Sequence, residues 1–398
     1  MNTRPFDASL SATLVLLGFA TLVHTHGVQA ESKNEPVKIG AVYNLSGSQA
    51  SLGRPSLNGS LLAVAQLNVR GGLLGRRVEL IAVDGESDPA LIADETRRLV
   101  HVPGLSAITG LSDTTMVLAA APIAERARVV FLTSGATSPR VPIEFPNYYF
   151  MACFGDNTQA AAGAEYAVSA LGARTVYLLS DKTTDYTVLL AKYFAERYLQ
   201  LGGQIVGEDT YSAGTTDFSA HIARLQRLST PPDVIYVASG PDEIGSLVKQ
   251  LREAGVDEPI VGGDGYDTPL LLEIAGAAAN DVYFTTHTLF DRAQATPIQK
   301  RFIDAYQARF GNPPESSFAG LGYDAVNLLA AAIELAGSAK QKAVADALEA
   351  TRDFQGVTGT LSFAPGVHIP EKQVTIVRVQ DGTLNLAAML TPQAVPQP

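Results

Sequence analysis

The sequence predicts an α/β protein of two doubly wound units, each a parallel sheet with helices on both faces. Three observations predict it. Short β-rich runs alternate with helical stretches along the body of the chain, the pattern of strand–helix–strand crossovers. That alternation starts again after Phe150. At roughly 150 residues per domain, 398 residues imply two to three domains. Apolar residues make up 46 % of the chain and charged residues 17 %, which supplies more than one core and excludes disorder as a description of the whole.

The elements of the first unit follow in order. Val37–Val42 is a β-rich run ending near the turn residues Asn44, Ser46 and Gly47. From Pro55 to Val69, Leu57, Leu61, Leu62, Val64, Ala65 and Leu67 fall at helical spacing, and Gly71-Gly72 stops the helix. Val78–Val83 reads as a strand, and Pro89 opens a helix through Val100. Leu105–Thr109 is a strand, Thr114–Ala127 a helix and Val129–Leu132 a strand.

The second unit repeats the pattern. Its expected helices are Asn157–Leu171, Tyr186–Leu201, Asp217–Leu228, Pro241–Ala254 and Pro269–Ala275. Its expected strands are Thr175–Leu179, Gln204–Gly207, Val234–Ala238, Ile260-Val261 and Val282–Thr285. Helices over Pro297–Phe310, Phe318–Ala336 and Lys340–Thr351 follow, then β-like runs at Gly359–Phe363 and Val374–Val379. The Pro/Gln tail, residues 392–398, is expected to be loose.

Residues 1–30 read as a secretory leader rather than as structure. Arg4 gives a basic start, Leu10–Val23 is mostly apolar, and Val28-Gln29-Ala30 is a small-x-small cleavage site. The apolar stretch falls short of the roughly 20 residues that a spanning helix needs. The mature chain is expected to start near Glu31 and to be exported to the periplasm without a lipid anchor.

Composition and motifs exclude several function classes. With 29 basic and 40 acidic residues the net charge is −11, so nucleic acid is not an expected partner, because its affinity comes largely from Lys and Arg. The single cysteine, Cys153, rules out an intramolecular disulfide and any multi-cysteine metal site. No tryptophan is present for a stacked-sugar platform. There is no dinucleotide fingerprint, no P-loop and no nucleophile elbow. His101, His221, His287 and His368 are scattered without metal-ligand spacing; His287 follows a strand end and could line a cleft, although a lone histidine is more often structural. The expectation is a protein that is not an enzyme and needs no cofactor or metal.

Polar clusters after strand ends carry the signal, because parallel α/β sheets bind ligands beyond their carboxyl ends. The first is Ser46-Gly47-Ser48 with Leu52-Gly53-Arg54 behind it. The second, Ser112-Asp113-Thr114-Thr115, precedes an Ala-rich helix, and the third is Thr133–Pro139. Hydroxyls and free N–H groups at a helix start suit an anion such as a carboxylate, and ordinary helix capping is the plainer alternative. In the second unit lie Asp181–Tyr186 and Gly262–Asp267. Asp264 between glycines suits an exposed loop-tip carboxylate able to pair with an ammonium group, or a plain Asp-Gly turn. Tyr186 offers a hydroxyl or a π-face, or simply packs on the sheet.

A family resemblance rests on pieces in a fixed order. They include Ile39-Gly40-Ala41, Gly71–Gly75, Ser87-Asp88-Pro89, Ala119–Glu125, Ser134–Pro139, Asp185-Tyr186, Leu201-Gly202-Gly203, Thr216–Ser219, Gly263-Asp264-Gly265, Gly322–Ala325 and Thr358–Phe363. Residues 36 to about 385 thereby resemble a type I periplasmic substrate-binding protein of the branched-chain amino acid (Leu/Ile/Val-binding) family of ABC transporters. The resemblance implies two Rossmann-like lobes joined by a three-crossing hinge, with crossings near Met151–Gly155, Thr285–His287 and Leu361–Phe363. Residues 36–152 and 286–361 would form lobe 1, and 153–285 and 362–391 lobe 2. Ligand would bind between the lobes and drive closure, and the closed shape would dock on a membrane permease. The resemblance places the ligand carboxylate at Thr114, Thr115, Gly135 and Thr137, with Ser112 in the same cluster, and the ammonium at Tyr186 and Asp264. A monomer is the family expectation.

Three departures bear on the ligand. Leu52 stands where the family often has an aromatic residue. Arg54 could reach an anionic ligand group or lie solvated at the surface. Asp113 stands where small residues are usual and would repel a bound carboxylate unless it turns away as a helix cap. The expected ligand is an amino acid or related small zwitterion. The alternatives are an aromatic or aliphatic carboxylate or an amide in the same fold, or a sensory ligand-binding role.

Overall fold

The computed structural model describes Met1 and residues 35–398, so the expected leader and its cleavage site at Val28-Gln29-Ala30 lie outside the described residues. The chain begins with β1 (Val37–Tyr43), α1 (Ala50–Val69), β2 (Val78–Asp84), α2 (Pro89–Val100), β3 (Leu105–Gly110), α3 (Thr114–Ala127), β4 (Val130–Thr133), α4 (Val141–Glu144) and β5 (Tyr149–Met151). These strands form an all-parallel sheet in the order β2-β1-β3-β4-β5. Ile39, Ala107, Val130 and Leu132 pack toward α1 and later helices, while Ile108 and Phe131 pack toward α2 and α3. That alternation follows from side chains pointing to opposite faces along each strand.

The second sheet starts beyond a crossing of the chain. In order come α5 (Asp156–Ser169), β6 (Thr175–Asp181), α6 (Asp185–Gln200), β7 (Gln204–Tyr211), α7 (Ser219–Leu225), β8 (Val234–Ala238), α8 (Pro241–Glu253), β9 (Ile260–Gly262), α9 (Leu270–Ala275) and β10 (Val282–Thr286). The chain then returns to the first sheet with α10 (Pro297–Phe310), α11 (Ser317–Ala336), α12 (Gln341–Glu349) and the hairpin β11 (Phe354–Gly356) and β12 (Gly359–Leu361). It ends with β13 (Val374–Gln380) and β14 (Thr383–Leu390), which complete a seven-stranded sheet in the order β14-β13-β10-β9-β8-β6-β7. Only β13 runs against the others there, so its pairings with β10 and β14 are antiparallel and the rest are parallel.

Local chemistry sets several boundaries. Asp88 accepts from the amides of Ala90 and Leu91 and so caps α2, with Pro89 pre-set at its first position. Thr296 and Gln299 form a reciprocal capping box on α10. Other boundaries differ from the sequence reading. Helix α1 starts at Ala50, ahead of Pro55, so Leu52-Gly53-Arg54 lies inside the helix rather than in a loop behind the first cluster. Strands β5, β11 and β14 and helix α4 were not anticipated. β14 follows a tight turn in which Asp381 and Gly382 both take positive φ, the twist that a two-residue hairpin favours.

The chain passes between the two sheets three times. The first passage lies between Met151 and Asp156, and the second follows Thr286. The third lies beyond His368, because Phe363 packs in the first core and His368 stacks on Phe150 at a centroid distance of 3.8 Å. The tail is pinned rather than loose. The amides of Gln393 and Ala394 donate to Glu165, and the Pro396 carbonyl accepts from Asn157 Nδ2 at 2.9 Å.

Helices α1 and α11 meet backbone to backbone. A Cβ on Gly59 would fall 1.9 Å from the Ala319 carbonyl oxygen, and one on Gly322 would fall 1.9 Å from that of Ser56. Ser56 and Ser60 donate their hydroxyls to the carbonyls of Phe318 and Gly322 across the same seam.

Candidate functional site

The strand ends of both sheets face a narrow cavity of ≈ 30 Å³, room for about two waters. Leu52 from α1, Ser112 and Asp113 from the β3–α3 turn, and Phe318 from α11 form one wall. Thr184 and Tyr186 at the start of α6, Gly240-Pro241 at the start of α8, and Asp264-Gly265 after β9 form the other. An amino acid entering it needs the walls to part. A larger cavity of ≈ 740 Å³ lies behind the second passage, lined by the loop after β10, the β11–β12 turn and β13–β14. Several of its polar groups pair with one another, as when Gln299 Nε2 donates to Thr288 Oγ1 and to the Val357 carbonyl. The strand-end cavity stands at the carboxyl ends of both sheets, where parallel α/β folds bind ligands.

Asp264 anchors the second wall. It opens a single tight turn after β9 and is only 2 % exposed, not the exposed loop-tip group expected from its flanking glycines. Burial is possible because three side chains donate to it. Gln159 Nε2 and the Tyr186 hydroxyl each lie 2.9 Å from Oδ1, and His287 Nε2 lies 3.2 Å from Oδ2. The Tyr186 oxygen in turn accepts from the Gly265 amide at 3.0 Å. Burial pushes the Tyr186 phenol well above its usual range, so it stays a neutral donor.

Gln159, His287 and Asp156 complete this group and were not singled out from the sequence as site residues. Gln159 Nε2 also donates to Asp156 Oδ1 at 3.1 Å, and its Oε1 accepts from the Asp264 amide and from Thr285 Oγ1. Burial lowers His287 to about 4, which leaves a neutral ring that donates through Nε2. That ring stacks on Phe154 at 3.8 Å, so two passages of the chain touch behind Asp264. Burial pushes the Asp156 carboxyl up to about 8, Thr137 beside it pulls the other way, and Asp264 adds to the rise. Sequence separation hid the group, since Gln159 and Asp264 stand 105 positions apart.

Of the residues expected to hold the carboxylate, Ser112 lines the cavity, Thr114 and Thr115 follow it in the same turn, and Gly135 and Thr137 are not among the lining residues. Ser112 Oγ and Thr114 Oγ1 are buried and have no hydrogen-bond partner among the described residues. Thr137 is 2 % exposed, and its carbonyl accepts from the Asp156 amide at 2.6 Å. A Cβ on Gly135 would meet Phe318 Cε1 at 2.9 Å and Ser112 Oγ at 3.1 Å, so only glycine lets these groups close up. Thr115 Oγ1 lies 3.5 Å from the Asp185 amide across the cleft, a long contact. Asp113 is the N-cap of α3, accepting from the Met116 amide at 3.1 Å, and it also lines the cavity. Burial lifts its carboxyl to about 6, with Asp185 and Asp181 adding to the rise. The start of α3 is thus already served by a carboxylate of the chain itself.

Arg54 does not join the site. It is exposed and donates Nε to the Leu45 carbonyl at 2.6 Å, because inside α1 its side chain points back along the helix. Cys153 is buried against the Ala136 carbonyl, and burial raises its thiol well above the usual range, so it is an unreactive core group. Among the described residues no group of His, Cys, Asp and Glu could hold a metal ion.

Known proteins resemble this chain in sequence and fold. The chain is 27 % identical over 354 residues to the leucine-, isoleucine-, valine-, threonine- and alanine-binding protein of Pseudomonas aeruginosa, covering 89 % of this chain and 90 % of that one. Among solved structures, the branched-chain amino acid transporter substrate-binding protein LivJ of Streptococcus pneumoniae, in complex with isoleucine, is 33 % identical with a TM-score of 0.84. The match covers 90 % of this chain and all of that one, 100 %. The leucine-binding protein LivK of Thermotoga maritima is 32 % identical with a TM-score of 0.83, covering 89 % and 99 %. These matches show the expected two-unit α/β fold of type I periplasmic binding proteins. The sequence pattern of periplasmic binding proteins spans residues 36–383, and with the two-walled cleft between its sheets the chain belongs to that family.

Proposed function

We propose that this protein is the exported solute-binding component of an ABC importer, that it captures a small amino acid between two lobes, and that it delivers the ligand to a membrane permease. The first lobe carries the five-stranded sheet and the second the seven-stranded one. One observation carries the reading. The cavity sets a buried carboxylate with a phenol, Asp264 and Tyr186, on one wall and the unpaired hydroxyl of Ser112 on the other, with that of Thr114 in the same turn. A zwitterion satisfies both sides at once, so only the closed state gains both sets of contacts. The protein acts as a periplasmic monomer, its leader is cleaved near Glu31, and the ligand leaves chemically unchanged.

A thermal-shift panel tests this. The common amino acids, amides and aromatic acids are each added at about 1 mM, and a ligand at about 100 times its Kd adds about 2.7 kcal/mol of stability. A shift of several degrees confined to amino acids is expected. A shift only with carboxylates that lack an amine would overturn the ammonium half of the site.

A further inference from the structure

Asp113 is a second buried carboxylate in a cleft that already has one. It is 7 % exposed and lines the cavity on the wall opposite Asp264. Asp181, 1 % exposed, and Asp185 lie on the other side of the cleft near enough to act on it electrostatically. Among the described residues lining the cavity none carries a positive charge. Gln49 lines the same cavity, and its Oε1 is a buried acceptor without a partner among the described residues. The walls thus present acceptors at both ends and a counter-cation at neither. An aliphatic ligand tail beside Asp113 would leave that carboxylate desolvated with only the amides at the start of α3 as partners and no counter-cation, which disfavours closure. A cation there offsets Asp113 and also the like charges that closure brings together from the two sides.

We propose that the ligand's side chain ends in a positively charged group seated beside Asp113 and Gln49, so that the cleft selects a diamino acid over a branched-chain one. This rests on the amino-acid reading above. Asp264 with Tyr186 takes the α-ammonium, and Asp113 takes the side-chain cation. The surrounding Leu52 and Phe318 suit the methylene stem between the two charges.

Calorimetric titration of the purified protein with L-ornithine, L-lysine and L-leucine tests the proposal. Ornithine or lysine should bind at least about tenfold more tightly than leucine, a difference of about 1.4 kcal/mol. Asp113→Asn keeps a good helix cap, and it should abolish that preference by weakening ornithine and lysine binding at least about tenfold. Gln49→Leu, which leaves the α3 cap intact, should shift the preference in the same direction. Leucine binding as tightly as ornithine in the wild type overturns the proposal but leaves the amino-acid reading standing. So does an Asp113→Asn protein that melts normally and keeps the full preference. If no amino acid binds, the amino-acid reading falls and this inference falls with it.

Discussion

His287 donates Nε2–H to Asp264 Oδ2 at 3.2 Å, joining the end of β10 to the turn after β9. The ring is neutral because burial lowers it to about 4. An unfolded histidine titrates near 6.5, so the unfolded chain binds more protons between about 4 and 6.5, and stability rises with pH across that window. His287→Phe keeps the stack on Phe154 and removes the donor. It should destabilise the protein by about 1–3 kcal/mol at pH 7, through the orphaned carboxylate oxygen. The rise in stability between pH 4 and 6.5 should be smaller in the variant, and chemical denaturation at several pH values checks both outcomes.

Asp264 and Tyr186 are one unit, since the tyrosine hydroxyl donates to the acid and accepts from the Gly265 amide. Tyr186→Phe leaves that buried amide without its acceptor and frees the carboxylate to turn. Asp264→Ala removes the proposed ammonium partner outright. Each should weaken amino-acid binding by about tenfold or more, with the alanine variant the worse. Titration calorimetry reads the change, and wild-type affinity in both variants would contradict the assignment.

Asp156 carries a pH signature of opposite sign. Burial lifts its carboxyl to about 8, so the folded protein holds a proton that the unfolded chain releases near 4. Stability contributed by this group therefore falls as pH rises from about 4 to about 8. Asp156→Asn removes the titration while keeping an oxygen for Gln159 Nε2. The melting temperature of the variant relative to wild type should climb steadily from pH 5 to pH 8. A constant difference would show that Asp156 is not protonated in the fold.

Gly265 sits where its turn touches the neighbouring strand end. A Cβ there would meet the Ser239 carbonyl oxygen at 2.7 Å and the Tyr186 hydroxyl at 3.4 Å. Gly265→Ala should shift the turn, weaken binding through Asp264, and destabilise the fold by about 1–3 kcal/mol. Thermal melts with and without ligand separate the two effects.

Much of this was legible in the sequence, for stated reasons. Helices α2 and α10 were read with both ends in place, and each opens on a proline at its first position. Tyr186 and Asp264 were singled out as strand-end residues and do meet. What was missed is spatial. Asp156, Gln159 and His287 reach Asp264 from distant segments; no local pattern marks the first two, and His287 has only its place after a strand end. Strand β14 was missed because its residues are mostly exposed and mixed in type, although Asp381-Gly382 is the hairpin signal that announces it. The exposed loop-tip expectation for Asp264 failed because a glycine-flanked acid says nothing about the donors waiting for it.

The seam between α1 and α11 has a consequence for discrimination by size. Leu52 and Phe318 form the apolar end of the cleft, and they stand on two helices whose backbones touch at Gly59 and Gly322. Only small residues, with the Ser56 and Ser60 hydroxyls bonded to backbone carbonyls, lie at that contact, which leaves little to compress when a longer ligand presses on the wall. The pair acts as a fixed gauge. Ligands that differ by one methylene should separate by a step of about 1–3 kcal/mol rather than by a gentle slope. Enlarging Gly59 or Gly322 would move the gauge itself, changing which length fits without touching a group that contacts the ligand.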